Sequence, residues 1–204
     1  MSMFDVKLLR GAKLGLMVAG LGGLLASCGT TTPLDTYSLS APRPAVTAKS
    51  RKSVQLLVAA PTALKALDSE NIVVNPASGS IAYLSGAQWG DRLPNIIQSR
   101  LVQSYENTGL LGGVGRPGDG LAINYQVLTD VREFGIHAST SPQTAVVELA
   151  VKLMDDKNGN VRATRVFRNV VAVQGSGNAA YLKALDQAFE KTAAEIVSWT
   201  FSAM

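Results

Sequence analysis

The chain has 204 residues, 47% of them hydrophobic, with a single cysteine, a single histidine and a formal charge of +4. A lone cysteine excludes an internal disulfide and any multi-cysteine metal site. Lys7, Arg10 and Lys13 supply three of the positive charges near the N-terminus; residues 28–204 keep sixteen basic against fourteen acidic residues, with no basic block beyond Arg51-Lys52. The electrostatic footprint of a nucleic-acid binder is missing.

The basic start is followed by an uncharged apolar run, Leu14 to Ala26, that exits through Leu25-Ala26-Ser27-Cys28. These are the three parts of a secretory signal, and the run is shorter than the roughly 20 residues a bilayer-spanning helix needs. The exit resembles the bacterial lipobox. The resemblance implies cleavage after Leu25, Ala26 and Ser27 and a diacylglyceryl group on the thiol of Cys28, which also caps the otherwise solitary thiol. Gly29 follows, where an Asp would favour retention at the inner membrane, so the outer membrane is favoured.

Three regions are expected: a signal peptide at 1–27, the lipidated cysteine and a flexible tether at 28–52, and one folded domain at 53–204. Residues 29–52 are rich in Thr, Ser, Pro and Ala. As a tether they reach about 80 Å when fully extended. Tyr37-Ser38-Leu39 alternates and can pair as an edge strand.

Val54 to Ala59 reads as a buried strand ending at Pro61, Ile72-Val73-Val74 as a short second strand, and Ser80 to Ser85 as a third. Residues 89–109 predict a helix, because Leu93, Ile96, Ile97, Leu101 and Tyr105 form one apolar stripe, with Asp91 as cap and Pro94 in the first turn. The segment Gly113-Val114-Gly115-Arg116-Pro117-Gly118 matches G-x-G-x-x-G literally. It follows a helix and precedes a strand, the reverse of the order nucleotide binding requires, so a connecting loop is expected. Three long alternating strands follow, around 121–127, 145–153 and 163–171, the last two joined by Asn158-Gly159 as a hairpin. The chain closes with a helix from about Asn178 to Ala203, whose stripe is Leu182, Leu185, Phe189, Ala193, Ile196 and Thr200. Together these elements predict an α+β two-layer sandwich, a mostly antiparallel or mixed sheet carrying two main amphipathic helices.

Chemistry-bearing motifs are sparse. Asp155 to Gly159 lacks the Glu of a calcium loop, since its twelfth position is Val166. His137 is expected in a solvated loop; a hydrolase using it with one of the serines is the enzymatic alternative, without a G-x-S-x-G elbow to support it. Trp89 and Phe201 are the candidate partner or lipid contacts, although core packing is the better account of Trp89 and Trp199. No catalytic, cofactor or metal residues are assigned.

The order of features resembles the ABC-type transport auxiliary lipoprotein family, whose members accompany systems built on MCE-domain proteins. The resemblance rests on Cys28, Tyr37-Ser38-Leu39 with Pro42, the strand VQLLVAAP with Leu64, the strand NIVV, Tyr83, Gln88-Trp89, the helix DRLPNIIQSRLVQSYENTG, and the terminal strand pair and helix. The family often has Arg where Gln88 stands, and Tyr-Tyr-Leu where Tyr37-Ser38-Leu39 stands. It implies a non-enzymatic component that docks a periplasmic MCE assembly, with an ABC permease and ATPase as further partners and phospholipid or another apolar lipid as cargo. A lipid ligand and self-association are compatible with it. The other class that suits the residues is an envelope assembly or scaffold lipoprotein, in lipopolysaccharide export or wall-synthase regulation.

Overall fold

The computed structural model describes residues 33–77 and 79–204. Among the described residues nine strands and two helices follow one another as β1 (Asp35–Tyr37), β2 (Arg51–Val58), β3 (Thr62–Ala63), β4 (Asn71–Asn75), β5 (Ala82–Trp89), α1 (Leu93–Glu106), β6 (Leu111–Gly115), β7 (Tyr125–His137), β8 (Thr144–Asp155), β9 (Val161–Ala172) and α2 (Asn178–Ala203). All nine strands belong to one mixed sheet. The expected α+β fold with two main helices is what forms.

β7 organises the sheet. On one side it pairs antiparallel with β8 along its whole length, and β8 pairs antiparallel with β9. On the other side β2, β3 and β4 lie parallel to it in succession, from Leu56 beside Tyr125 to Asn75 beside His137. The chain from 56 to 75 thus behaves as one interrupted strand whose excursion at 64–70 loops outward. β6 extends the sheet beyond β2, and β5 then β1 extend it beyond β4.

Period-two alternation decides which face is covered. Ala145, Val147, Leu149, Val151 and Leu153 of β8 are fully buried beneath the helices, whereas Glu148 and Lys152 lie on the other side. Asn169 of β9, on the covered face, donates to Thr192 of α2 at 3.1 Å. Aromatic contacts run through the core: Trp89 meets Phe134 edge-on at 5.8 Å, and Phe134 meets Phe189 of α2 at 6.2 Å. Tyr105 of α1, fully buried, bonds Thr200 of α2 at 2.7 Å, which fixes the helices to each other.

Five expectations are corrected. The helix expected from residue 89 starts at Leu93, because Trp89 stays in β5 with its N–H bonded to the Glu70 carbonyl. Asp91 does not cap it; Arg92 occupies that position, and the Asp91 carboxylate accepts from Arg92 N–H and Asn95 Nδ2. The glycine loop is strand β6 up to Gly115, parallel to β2, and the glycines allow that pairing: a Cβ on Gly112 would sit 2.1 Å from the Lys52 carbonyl oxygen. The strand expected at 121–127 runs instead from Tyr125 to His137, with a register shift between Val131 and Glu133. The hairpin between β8 and β9 forms as expected, Gly159 turning at φ 71°, a left-handed conformation open to glycine.

The expected tether is the fifth. The folded unit begins at Leu34, not at 53. β1 pairs parallel with Ala87–Trp89 of β5, and Leu39 is 3% exposed. Ser40 donates twice to Asp186 of α2, from its N–H at 2.7 Å and its hydroxyl at 2.8 Å. Arg100 of α1 reaches the Ser38 hydroxyl, and Asn107 reaches the Pro42 carbonyl. Residues 34–50 therefore form a strap across both helices. Small and polar composition predicts a tether, but four apolar anchors (Tyr37, Leu39, Val46 and Ala48) pack on the core and hold it.

Candidate functional site

The helix-free face of the sheet is the surface with the richest chemistry. It carries two adjoining hollows that share Arg132. One, about 300 Å³, lies among Leu64, Leu67, Val73, Ile81 and Glu148. The other, about 390 Å³, lies among Thr62, Leu128, Asp130, Ala150 and Lys152. Leu64 is 78% exposed and Ile81 58%, so the rim of the first hollow presents large apolar side chains to water. Both come from loops that leave the sheet, at 64–70 and 76–81. Strand geometry does not require their exposure.

Between the hollows and the β9 edge runs a charge network. Glu133 of β7 and Glu148 of β8 are directly opposite each other, an unfavourable pairing of like charges. Arg168 of β9 offsets it: its Nε is 3.2 Å from Glu148 and its Nη2 3.5 Å from Glu133. His137 Nε2 bonds the other Glu133 oxygen. The network is half-buried, so its strength is that of surface ion pairs, about 1 kcal/mol or less for each.

His137 is thus the last residue of β7, tied to Glu133, and does not stand in a solvated loop. Period two puts Glu133 and His137 on one face, and the register shift between Val131 and Glu133 turns that face away from the helices. Trp89 and Phe201, the expected contact aromatics, are 1% and 3% exposed and belong to the core. Phe201 falls four residues after Val197 on the buried side of α2, so helical phase draws it inward. Trp199 is half-buried, edge-on to Phe167 at 5.5 Å, and lines a hollow of about 490 Å³ with Arg165, Glu195 and Pro44 of the strap. Cys28 and the Leu25-Ala26-Ser27 motif lie outside the described residues. Among the described residues no His, Cys, Asp and Glu group is arranged to hold a metal ion, and no helix is long and apolar enough to cross a membrane.

Sequence reasoning did not find the open face. Its members come from five strands and two loops, and only the topology brings them together. The partial signal was Arg168, Glu148 and Glu133 on alternating positions of neighbouring strands.

A family described as the ABC-type transport auxiliary lipoprotein component matches residues 37–197. An uncharacterised protein of Bradyrhizobium diazoefficiens is 30% identical over 187 residues, covering 90% of this chain and 50% of that protein. The chain spans about half the length of that curated relative. The crystal structure of a Xanthomonas campestris protein of the DUF330 family superposes with a TM-score of 0.72 at 29% identity, covering 84% of this chain and 96% of that one. A crystal structure of an uncharacterised protein shares the fold with a TM-score of 0.63 at 17% identity, over 81% of this chain and 97% of that one.

Proposed function

The chain belongs to the ABC-type transport auxiliary lipoprotein family, and on that premise we propose that it is the membrane-anchored dock of an MCE-type lipid transport system. Lipid on Cys28 holds it to a membrane of the cell envelope, the outer one favoured by Gly29. The folded domain receives a periplasmic MCE-domain assembly, served by an ABC permease and ATPase. The cargo is phospholipid or another apolar lipid, and the role is non-catalytic.

The observation that carries this reading is the strap. The folded unit begins at Leu34, only six residues after Cys28. Six residues extend to about 20 Å at most, a quarter of the reach expected of a tether running to residue 52. A domain on so short a leash is a platform at the bilayer surface, which suits a fixed docking point and not a carrier ranging across the periplasm. The open sheet face and the charge network supply contact surface, and neither needs to do chemistry.

The test is affinity purification of C-terminally tagged protein from gently solubilised, crosslinked envelopes, with the captured proteins identified by mass spectrometry. Recovery of an MCE-domain protein with its permease or ATPase supports the role. Recovery of wall-synthesis or lipopolysaccharide machinery without any MCE-domain protein refutes it.

A further inference from the structure

We propose that the free edge of β9 is where the periplasmic partner docks, by adding an acidic extended segment as a further strand of the sheet. The inference rests on the docking role proposed above and names the surface and the chemistry of the occupant.

Position comes first. Along the sheet the order is β1, β5, β4, β7, β8, β9. Five strand spacings separate β1 from β9, about 24 Å. β1 is also where the chain arrives from Cys28, on a leash of about 20 Å at most. A domain of this size has a radius near 20 Å, so β1 can rise no higher than its equator and lies on the bilayer-facing half. β9 closes the opposite end, facing away from the membrane and toward a partner that approaches through the periplasm.

Edge chemistry comes second. β9 pairs only with β8 among the described residues, so one whole edge of a 12-residue strand leaves alternate N–H and C=O groups unbonded. Other exposed edges are far shorter: β1 has three residues and β6 five. Proteins usually blunt a long edge by shortening, bulging or covering it, and β9 runs against β8 with a single register shift, next to its start. Val161, Val166 and Val170 are 52%, 44% and 47% exposed, offering apolar contact to side chains of an added strand.

Charge selects the occupant. β9 reads VRATRVFRNVVA, with Arg162, Arg165 and Arg168 and no acid. Arg168 is held by Glu148 and Glu133, whereas Arg162 and Arg165 have no carboxylate within salt-bridge distance among the described residues. Arg165 lies instead over the Phe167 ring at 5.0 Å. A second copy meeting this edge antiparallel would set arginines against arginines, which repel. An acidic strand meets the backbone groups, the valines and the guanidinium groups together, in the mode of strand addition.

The full acylated chain tests this in envelopes. One variant carries Arg162→Glu with Arg165→Glu, both on exposed side chains outside the core; photo-crosslinking residues replace Val166 or Val170 in two others. Unchanged thermal melting shows that each folds. The charge reversal is expected to lower capture of the MCE-domain protein about tenfold, the loss of two charge contacts. The photo-adducts are expected on an Asp- or Glu-rich partner peptide. Capture at the parent level by the reversed variant, or adducts only between copies of this chain, overturns the β9 assignment while leaving the docking role standing. Should the parent itself recover no MCE-domain protein, the transport role falls first, and the β9 assignment is then decided by whether the trapped peptide is acidic.

Discussion

The bond between Tyr105 and Thr200 allows a sharp test of how the helix layer is held. Thr200 Oγ1 donates to the Ile196 carbonyl at 2.8 Å, so the Tyr105 hydroxyl must be the donor of the 2.7 Å bond between the two side chains. Both residues are fully buried, and the two truncations are therefore unequal. Tyr105→Phe removes the donor and leaves an oxygen that is already bonded, at a cost of about 1 kcal/mol. Thr200→Val leaves a phenol hydroxyl buried with no acceptor, at a cost of about 2–3 kcal/mol. The double variant replaces both partners by apolar groups, so it should be more stable than Thr200→Val alone. Urea unfolding of residues 34–204, followed by tryptophan fluorescence, measures all four corners of the cycle. Additive losses, or a larger loss for Tyr105→Phe than for Thr200→Val, would refute the assigned direction of the bond. There is a pH counterpart. Burial holds the Tyr105 phenol far above the ordinary tyrosine range. The unfolded chain ionises near pH 10 while the folded chain keeps the proton. The stability this contributes is complete below about pH 10 and is lost as pH rises further; in Tyr105→Phe that alkaline slope should be shallower.

Four further outcomes are expected. Gly112→Ala drives a Cβ into the Lys52 carbonyl and should destabilise the fold by about 3 kcal/mol, read by thermal melting. Arg168→Leu leaves Glu133 and Glu148 facing each other without their arginine; it should cost about 1 kcal/mol at low salt, less at high salt, and be relieved by adding Glu148→Gln. Leu39→Asp should free the strap without unfolding the sheet, so that trypsin cleaves faster after Lys49 while the amide exchange of β7 and β8 stays slow. Cys28→Ser should abolish acylation, removing the diacylglyceryl mass and shifting the chain from the membrane to the soluble fraction.

Where a pattern was local, the sequence carried it: the stripe Leu93, Ile96, Ile97, Leu101 and Tyr105 is buried throughout α1, and the alternation in 145–153 and 163–171 is the pleat of β8 and β9. Each miss has a non-local or phase-breaking cause. The shift between Val131 and Glu133 moves β7 out of period two, so alternation read from 121 stops before the strand does. β6 looks like a loop because its partner β2 lies more than fifty residues earlier and only Gly112 tolerates the approach. The strap looks like a tether because its composition is that of one; what holds it is non-local, the core around Leu39 and Asp186 on α2.

That last miss alters the functional argument most. A tether to residue 52 would let the domain meet partners anywhere within about 80 Å of the membrane, and its orientation would be unconstrained. On the proposed acylation of Cys28, the bound strap would keep the domain within about 20 Å of the bilayer. The hydrogen bonds of Ser40 tie the strap to α2, so in the proposed dock anchoring and docking would depend on the same segment. Lengthening the leash between Gly29 and Pro33 should therefore impair docking as freeing the strap does, although it leaves every surface residue of the domain in place.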